Sequence, residues 1–235
     1  MTNDEITLHR GLAGVYFDRS ATTFIDGKEG VLEYRGYNIN ELAEHSTFEE
    51  TAYLLIHGVL PTQTQLDDYD AELKGARELP EQIFDVIEIV KDAHPMDALR
   101  TAVSALSGFD PDRNDNSTEA TIRKGLRLTS QVPSIVMAHH NIRRGKDPIK
   151  PSTTLNHAGN FLYMMDGNEA SGQAMNLMDK DFVLHADHGS NASAFTARVV
   201  AGTSADIHGA VTAGIAALSG PSHGGAAENV MQMTR

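Results

Sequence analysis

Between Gly189 and Ala227 the chain carries only two formal charges, Arg198 and Asp206, and is built mostly of Ala, Gly, Ser, Thr and Val. A segment with so few groups to hold water must be covered on most of its sides. It divides into two helices, roughly 192–204 and 206–219, with Asp206 as the cap of the second and Gly220-Pro221 as its stop. Each helix is apolar nearly all round, which predicts burial on most faces. Neither has the length of a membrane span. Small side chains let backbones approach closely, so the pair is either the centre of a larger core or an interface between subunits. In an interface, a charge at Gly214 would be disruptive.

The rest of the chain is read around this pair. Near the N-terminus, residues 22–25 and 31–34 are β-prone runs joined by the hairpin chemistry of Asp26-Gly27-Lys28-Glu29-Gly30. Beyond Tyr37 the pattern turns helical. Asn40 or its neighbour can cap a helix through Leu42 and Ala43, and Thr47 caps another over 48–56 that Gly58 and Pro61 stop. Further helices are expected near 63–75, 81–93, 96–108, 119–143 and 152–165, with Pro133 bending the long one. Residues 110–118 form the most loop-like stretch. The fold class is therefore mainly α, a large helical domain with a small N-terminal β-hairpin element.

Composition removes several functions. With no cysteine there are no disulfides and no thiolate metal sites. A net charge of −13 leaves no broad basic face for phosphates, so no nucleic-acid partner is expected. The sharpest basic cluster, Arg143-Arg144-Gly145-Lys146, reads as a solvated helix end. No membrane span is expected, and the opening five residues lack the basic start and apolar middle of a signal peptide, so a cytoplasmic protein is expected. The chain has no Gly-x-Gly-x-x-Gly fingerprint, Walker loop or Gly-x-Ser-x-Gly elbow.

Two constellations could carry chemistry. The first, Leu184 to Ser193, gathers His185, Asp187, His188, Asn191 and Ser193 around a helix start. A polar turn with a capping Asn or Ser would look the same. His185 and His188 share the spacing of one helix face, but no His-Glu-x-x-His context accompanies them, so no metal is expected. The second, Ser219 to Asn229, sets His223 between a helix stop and a helix start and flanks it with glycines. Glycines allow a close approach to the backbone, and the dipole of a following helix disfavours an imidazolium. His223 is then expected to stay neutral and donate a hydrogen bond, as a carbonyl-polarising histidine does. A flexible glycine-rich loop with an incidental histidine is the plain alternative.

Taken together the two motifs resemble the paired active-site signature of the citrate synthase family. The likeness rests on His185-Ala-Asp-His188-x-x-Asn191-Ala-Ser193, followed one helical hairpin later by Gly220-Pro-Ser-His223-Gly-Gly-Ala. It extends upstream through Ile25-Asp26-Gly27, Tyr34-Arg35-Gly36-Tyr37, Leu54 to Thr62, and His94-Pro95-Met96 with Leu99-Arg100-Thr101. Ser222 stands where the family commonly has Leu.

The resemblance implies an α-helical homodimer whose subunits each have a large and a small domain around a cleft. It implies condensation of acetyl-CoA with oxaloacetate to citrate and CoA, with no metal or redox cofactor. His223 would hydrogen-bond the thioester carbonyl and stabilise the enol. His188 would contact oxaloacetate, Asn191 would lie near that substrate, and Ser193 would orient His223. His185 is expected to be structural, and Asp187 has no implied role. The helices over 192–219 would belong to the dimer contact.

The family's second catalytic histidine, its proton-abstracting aspartate and its carboxylate-binding arginines follow the His-Gly-Gly helix, and no residue of this chain matches them. Residues 1–235 are thus expected to be an incomplete large domain, without the small domain and inactive alone. The alternatives are a 2-methylcitrate synthase, which uses propionyl-CoA, and a truncated, non-catalytic dimerisation module.

Overall fold

Three short strands open the described part of the chain, which in this computed structural model comprises Gly14 and residues 19–225. β1 (Thr23–Asp26) pairs antiparallel with β2 (Val31–Tyr34), and their register sets Thr23 opposite Tyr34. The turn between them is held by the Asp26 carboxylate, which accepts the N–H groups of Lys28 and Glu29. A third strand, β3 (Tyr37–Asn38), lies beyond the expected hairpin and pairs with β2.

Ten helices follow among the described residues. They are α1 (Ile39–His45), α2 (Phe48–His57), α3 (Gln63–Gly75), α4 (Glu81–Ile89) and α5 (Pro95–Leu106), then α6 (Thr118–Ile142), α7 (His157–Asp166), α8 (Gly172–His185), α9 (Ala192–Ala201) and α10 (Ile207–Leu218). Cap chemistry explains most of the boundaries. Thr47 and Thr62 each form a reciprocal capping box with Glu50 and Gln65, and Gly58 closes α2 at φ +84°. Asn191 and Asp206 cap α9 and α10 by accepting the N–H groups of Ala194 and Gly209.

The core is organised on α6, the helix predicted over 119–143. Leu128, Ile135, Ala138 and Ile142 pack with Ile83 and Ile87 of α4, Val103 and Leu106 of α5, and Ile215 of α10. Pro133 lies inside α6, and the helix continues through it as one element. A second buried cluster joins the sheet to the helices: Tyr34, Ile39, Leu42, Leu54 and Val183. The basic residues Arg143, Arg144 and Lys146 stand exposed just past the end of α6, as expected. No helix among the described residues is long and apolar enough to cross a membrane.

Three sequence expectations need correction. α8 was not foreseen, because its apolar pattern is inverted at two places: Leu177 is 70% exposed, while Asp179 points inward. The inward carboxylate accepts the N–H of Phe48 at 3.3 Å, so it serves the N-terminus of α2. α7 begins at His157, five residues later than expected, because buried Arg77 takes the carbonyls of Ser152 and Leu155 and holds that segment as a loop. α4 ends at Ile89, and the Lys91 carbonyl beyond it lies 3.1 Å from His139 Nε2 on α6.

The loop-like stretch is ordered by cations from the first turns of α6. Arg127 makes a two-nitrogen fork to Asp110 at 2.9 and 2.7 Å and also reaches Asp112, while Arg123 grips Asp112 by a second fork. Fully buried Lys124 donates to the Asp115 carbonyl and the Asn116 side chain. Asn116 in turn donates to the Ser204 carbonyl, tying this loop to the turn between α9 and α10.

Candidate functional site

The two motifs singled out in the sequence flank one helical hairpin and meet at its open end. α9 and α10 pack along each other, with Gly214 buried between them. A Cβ at Gly214 would sit 3.4 Å from the Ser193 carbonyl, so the small residues here serve the approach of the two helices. A charge at Gly214 would therefore break the hairpin from within and is no measure of an outer interface. Because α10 runs back alongside α9, the residues after its C-terminus meet the residues at the start of α9.

That meeting is a hydrogen-bonded line. Asn191 Oδ1 accepts the Ala194 N–H at 2.9 Å, which fixes which way the amide faces. The Ser193 hydroxyl is 2.7 Å from the same oxygen and 3.0 Å from His223 Nε2. One hydroxyl proton thus faces two acceptors. Donated to Asn191, it leaves the serine oxygen to accept from His223 Nε2–H. Donated to His223, it requires the ring proton on Nδ1, which makes the far side of the imidazole a hydrogen-bond donor.

His223 is held by a tight turn. Its N–H donates to the Gly220 carbonyl at 2.9 Å, and the Gly224 N–H donates to the Leu218 carbonyl at 2.9 Å. A Cβ on Gly224 would fall 2.4 Å from that same Leu218 oxygen. Glycine at this position is a packing requirement of the turn itself. Gly225 is the last described residue, and the remainder of the helix start expected after His223 lies outside the described residues.

His188 is exposed and makes no hydrogen bond or ion pair to another described residue. It stands three residues before Asn191, on the turn between α8 and α9, with no described residue bound to its ring. His185 differs: its Nδ1 lies 2.8 Å from the Asp181 carbonyl one turn earlier, at the solvent-facing end of α8. Structure thus brings Asn191, Ser193 and His223 into one network and leaves His188 beside it, facing solvent.

Three residues around this site were not legible as such. The Asp187 carboxylate, without a role in the sequence reading, accepts a hydrogen bond from Thr23 Oγ1 of β1. The Tyr34 hydroxyl of β2 contacts the backbone of Asp187 and Leu184. Their sequence separations of about 150 residues exceed anything local spacing can convey.

A separate apolar cavity of about 570 Å³ lies among α2, α6, α7, α8 and α10, lined by residues that include Phe48, Leu128, Val132, His157 and Phe182. It contains none of the four site residues. Burial pushes the His157 imidazole down to about 4, so this histidine is a neutral member of an aromatic cluster with Phe48 and Phe182.

Comparison with known proteins places these observations in a family. A family model described as the C-terminal domain of citrate synthase matches residues 11–235. A citrate synthase of Haloferax volcanii is 44% identical over 233 residues, covering 97% of this chain and 62% of that protein. One of Deinococcus radiodurans is 46% identical over 225 residues, covering 95% and 60%. The crystal structure of citrate synthase from Pyrobaculum aerophilum aligns with a TM-score of 0.90 at 42% identity, over 93% of this chain and 57% of that one. A citrate synthase from Thermoplasma acidophilum, in ternary complex with carboxymethyl coenzyme A and oxaloacetate, aligns with a TM-score of 0.90 at 25% identity over 95% and 59%. The chain spans 60–62% of the length of these two curated relatives.

Proposed function

The chain belongs to the citrate synthase family, and from that premise we propose that it contributes to condensing acetyl-CoA with oxaloacetate, giving citrate and CoA, within a longer enzyme. The observation that supports this reading is the line from Asn191 through Ser193 to His223. In the reaction a base removes a methyl proton of acetyl-CoA, and negative charge accumulates on the thioester oxygen. A donor at that oxygen lowers the barrier. His223 is that donor when Ser193 gives its proton to Nε2, because the ring proton then resides on Nδ1.

The enol carbon next attacks the ketone carbon of oxaloacetate, and the ketone oxygen gains a proton. His188, unoccupied by any described residue, is the ketoacid contact, with Asn191 beside it as helix cap. Water then cleaves the citryl thioester, which draws the reaction forward. Every bond change is accounted for without a metal or redox cofactor.

Acetyl-CoA is the acyl donor we favour. Relatives named citrate synthase are 44% and 46% identical, while a citrate/2-methylcitrate synthase of Bacillus subtilis is 36% identical. A cytoplasmic location fits the same reading.

The test is Ser193→Ala in the full-length enzyme. Without the hydroxyl, Nε2 loses the partner that can hold the ring in its Nδ1–H form, and kcat should fall roughly ten- to hundredfold, a large share of what a positioned proton donor contributes. The KM for oxaloacetate should stay within about threefold, since this loss falls on the acyl side of the reaction. An unchanged kcat in steady-state assays would remove the relay from the mechanism.

We further infer that a second copy of the chain covers the α9–α10 hairpin, making the enzyme a homodimer. α9 has no residue buried by its own chain, and Val199 on it is 54% exposed. Val199→Glu should therefore convert a dimer into monomers in sedimentation at micromolar concentration, because an unpaired carboxylate is costly to bury. A parent protein that is already monomeric would overturn the interface.

A further inference from the structure

The exposed ring of His188 owes its direction to the backbone on either side of it, and that backbone is gripped from the N-terminal sheet. Tyr34 is fully buried, yet its hydroxyl emerges against the segment between α8 and α9. It lies 2.8 Å from the Asp187 carbonyl and 3.2 Å from that of Leu184, and it accepts the Asp187 N–H at 3.2 Å. Both peptide groups of the residue before His188 are thus bound by one phenol oxygen. Thr23 Oγ1 donates to the Asp187 carboxylate. The register explains the pairing: Thr23 and Tyr34 are direct cross-strand partners, so their side chains share a face. Past His188, Gly189 turns at φ +62°, and a Cβ there would come within 3.4 Å of Ile25 Cδ1 on the same strand as Thr23.

We propose that Tyr34, assisted by Thr23, is a positioning residue for the condensation, setting the His188 imidazole for the ketoacid through the backbone of Asp187. The inference rests on the reading that His188 contacts oxaloacetate. It goes beyond that reading by assigning the sheet a part in substrate recognition. Burial pushes the Tyr34 phenol up from its ordinary value, an effect that its hydrogen bond to the Asp187 backbone only partly opposes, so it stays a donor throughout the neutral range. The phenol is suited to this task for a geometric reason as well. Its ring is anchored in the same cluster as Val183, in the last turns of α8, so the helix end and the latch move together.

Tyr34→Phe keeps the ring and removes the oxygen. In the full-length enzyme it should raise the KM for oxaloacetate about tenfold, within the range that a misplaced group costs. It should leave kcat and the KM for acetyl-CoA within about twofold, because it touches neither the acyl site nor the relay at His223. Thr23→Val, at the partly exposed edge, should act in the same direction by a smaller factor and guards against a folding defect in the first variant.

Two readouts separate positioning from general loosening. The NMR signals of the His188 ring should shift in Tyr34→Phe, while those of buried His139 and His157 stay in place. In a His188→Ala background, Tyr34→Phe should add no further change in the oxaloacetate KM. If the two substitutions multiply instead, or if Tyr34→Phe lowers kcat and both KM-dependent rates alike, the positioning role is overturned. If His188→Ala raises the oxaloacetate KM and neither Tyr34→Phe nor Thr23→Val does, the latch alone is wrong. If His188→Ala itself has no effect, the substrate reading of His188 fails and takes this inference with it.

Discussion

Replacing His223 with Ala in the full-length enzyme is expected to cut kcat by about 10²–10³, the usual loss for one donor at a developing oxyanion. Affinity for oxaloacetate, measured by calorimetry without the acyl substrate, should change by less than about threefold, because the role proposed for His223 is on the other reactant. The size of the effect follows from where the charge forms. An enolate oxygen in a closed site has no water to stabilise it, so a fixed N–H there acts at full strength. Ser193→Ala should be milder than His223→Ala, since alanine at 193 leaves the ring in place with one tautomer no longer favoured. The two losses should not multiply in the double variant, as both remove the same donor. Near-normal turnover in His223→Ala would end its assignment.

The largest stability effect is expected at the opposite end of the hairpin, where Arg127→Met strands a carboxylate. Asp110 is 3% exposed at its side chain, and Arg127 binds both its oxygens. Removing one partner of such a buried pair costs about 3–5 kcal/mol. His208, 3.6 Å from Asp110, does not compensate, because burial keeps its imidazole below the usual value despite the two nearby carboxylates, Asp110 and Asp206. Urea unfolding should show the midpoint falling with an unchanged slope.

The deficit should also depend on pH in a defined direction. Burial alone would raise the Asp110 carboxyl, but the Arg127 fork and the Asp112 N–H outweigh it and hold it below the ordinary range. A group depressed in the folded state contributes stability that is present above its unfolded value and lost as pH falls through the folded one. The deficit should therefore be largest near neutral pH and shrink on acidification, as the stranded Asp110 of the variant takes up its proton at a higher pH than the paired Asp110 of the parent. A deficit that grew on acidification would contradict the assignment of this pair.

Much of this was readable from local chemistry. Thr47, Thr62, Asn191 and Asp206 cap helices through N–H groups three residues on, so their signals survive in any sequence window. The grouping of Asn191, Ser193 and His223 came from the family resemblance of the two motifs, and the helical hairpin between them, which returns the chain to its start, is what brings the three side chains together. What failed was decided at long range. α8 carries an outward Leu177 and an inward Asp179 because its environment is the N-terminus of α2, not a uniform apolar core. The early residues of the expected α7 stay a loop because Arg77, some 75 residues upstream, takes the Ser152 carbonyl. Tyr34 belongs to a motif visible in the sequence, but its hydroxyl's partners lie beyond any sequence window.

The same separation has a consequence for how the polypeptide is made. Strands of four residues are too short to persist by themselves, and this sheet leans on Val183 and Asp187. Tyr34 and Asp187 are 153 residues apart, so at synthesis rates of about 5–20 residues per second the ribosome supplies the second roughly 8–30 s after the first. Through that interval Ile39, Leu42 and Leu54 lack the Val183 side of their cluster and offer apolar surface to chaperones. A sheet made early is then among the last of the described elements to be fixed, and its closure coincides with the arrival of the turn that bears His188.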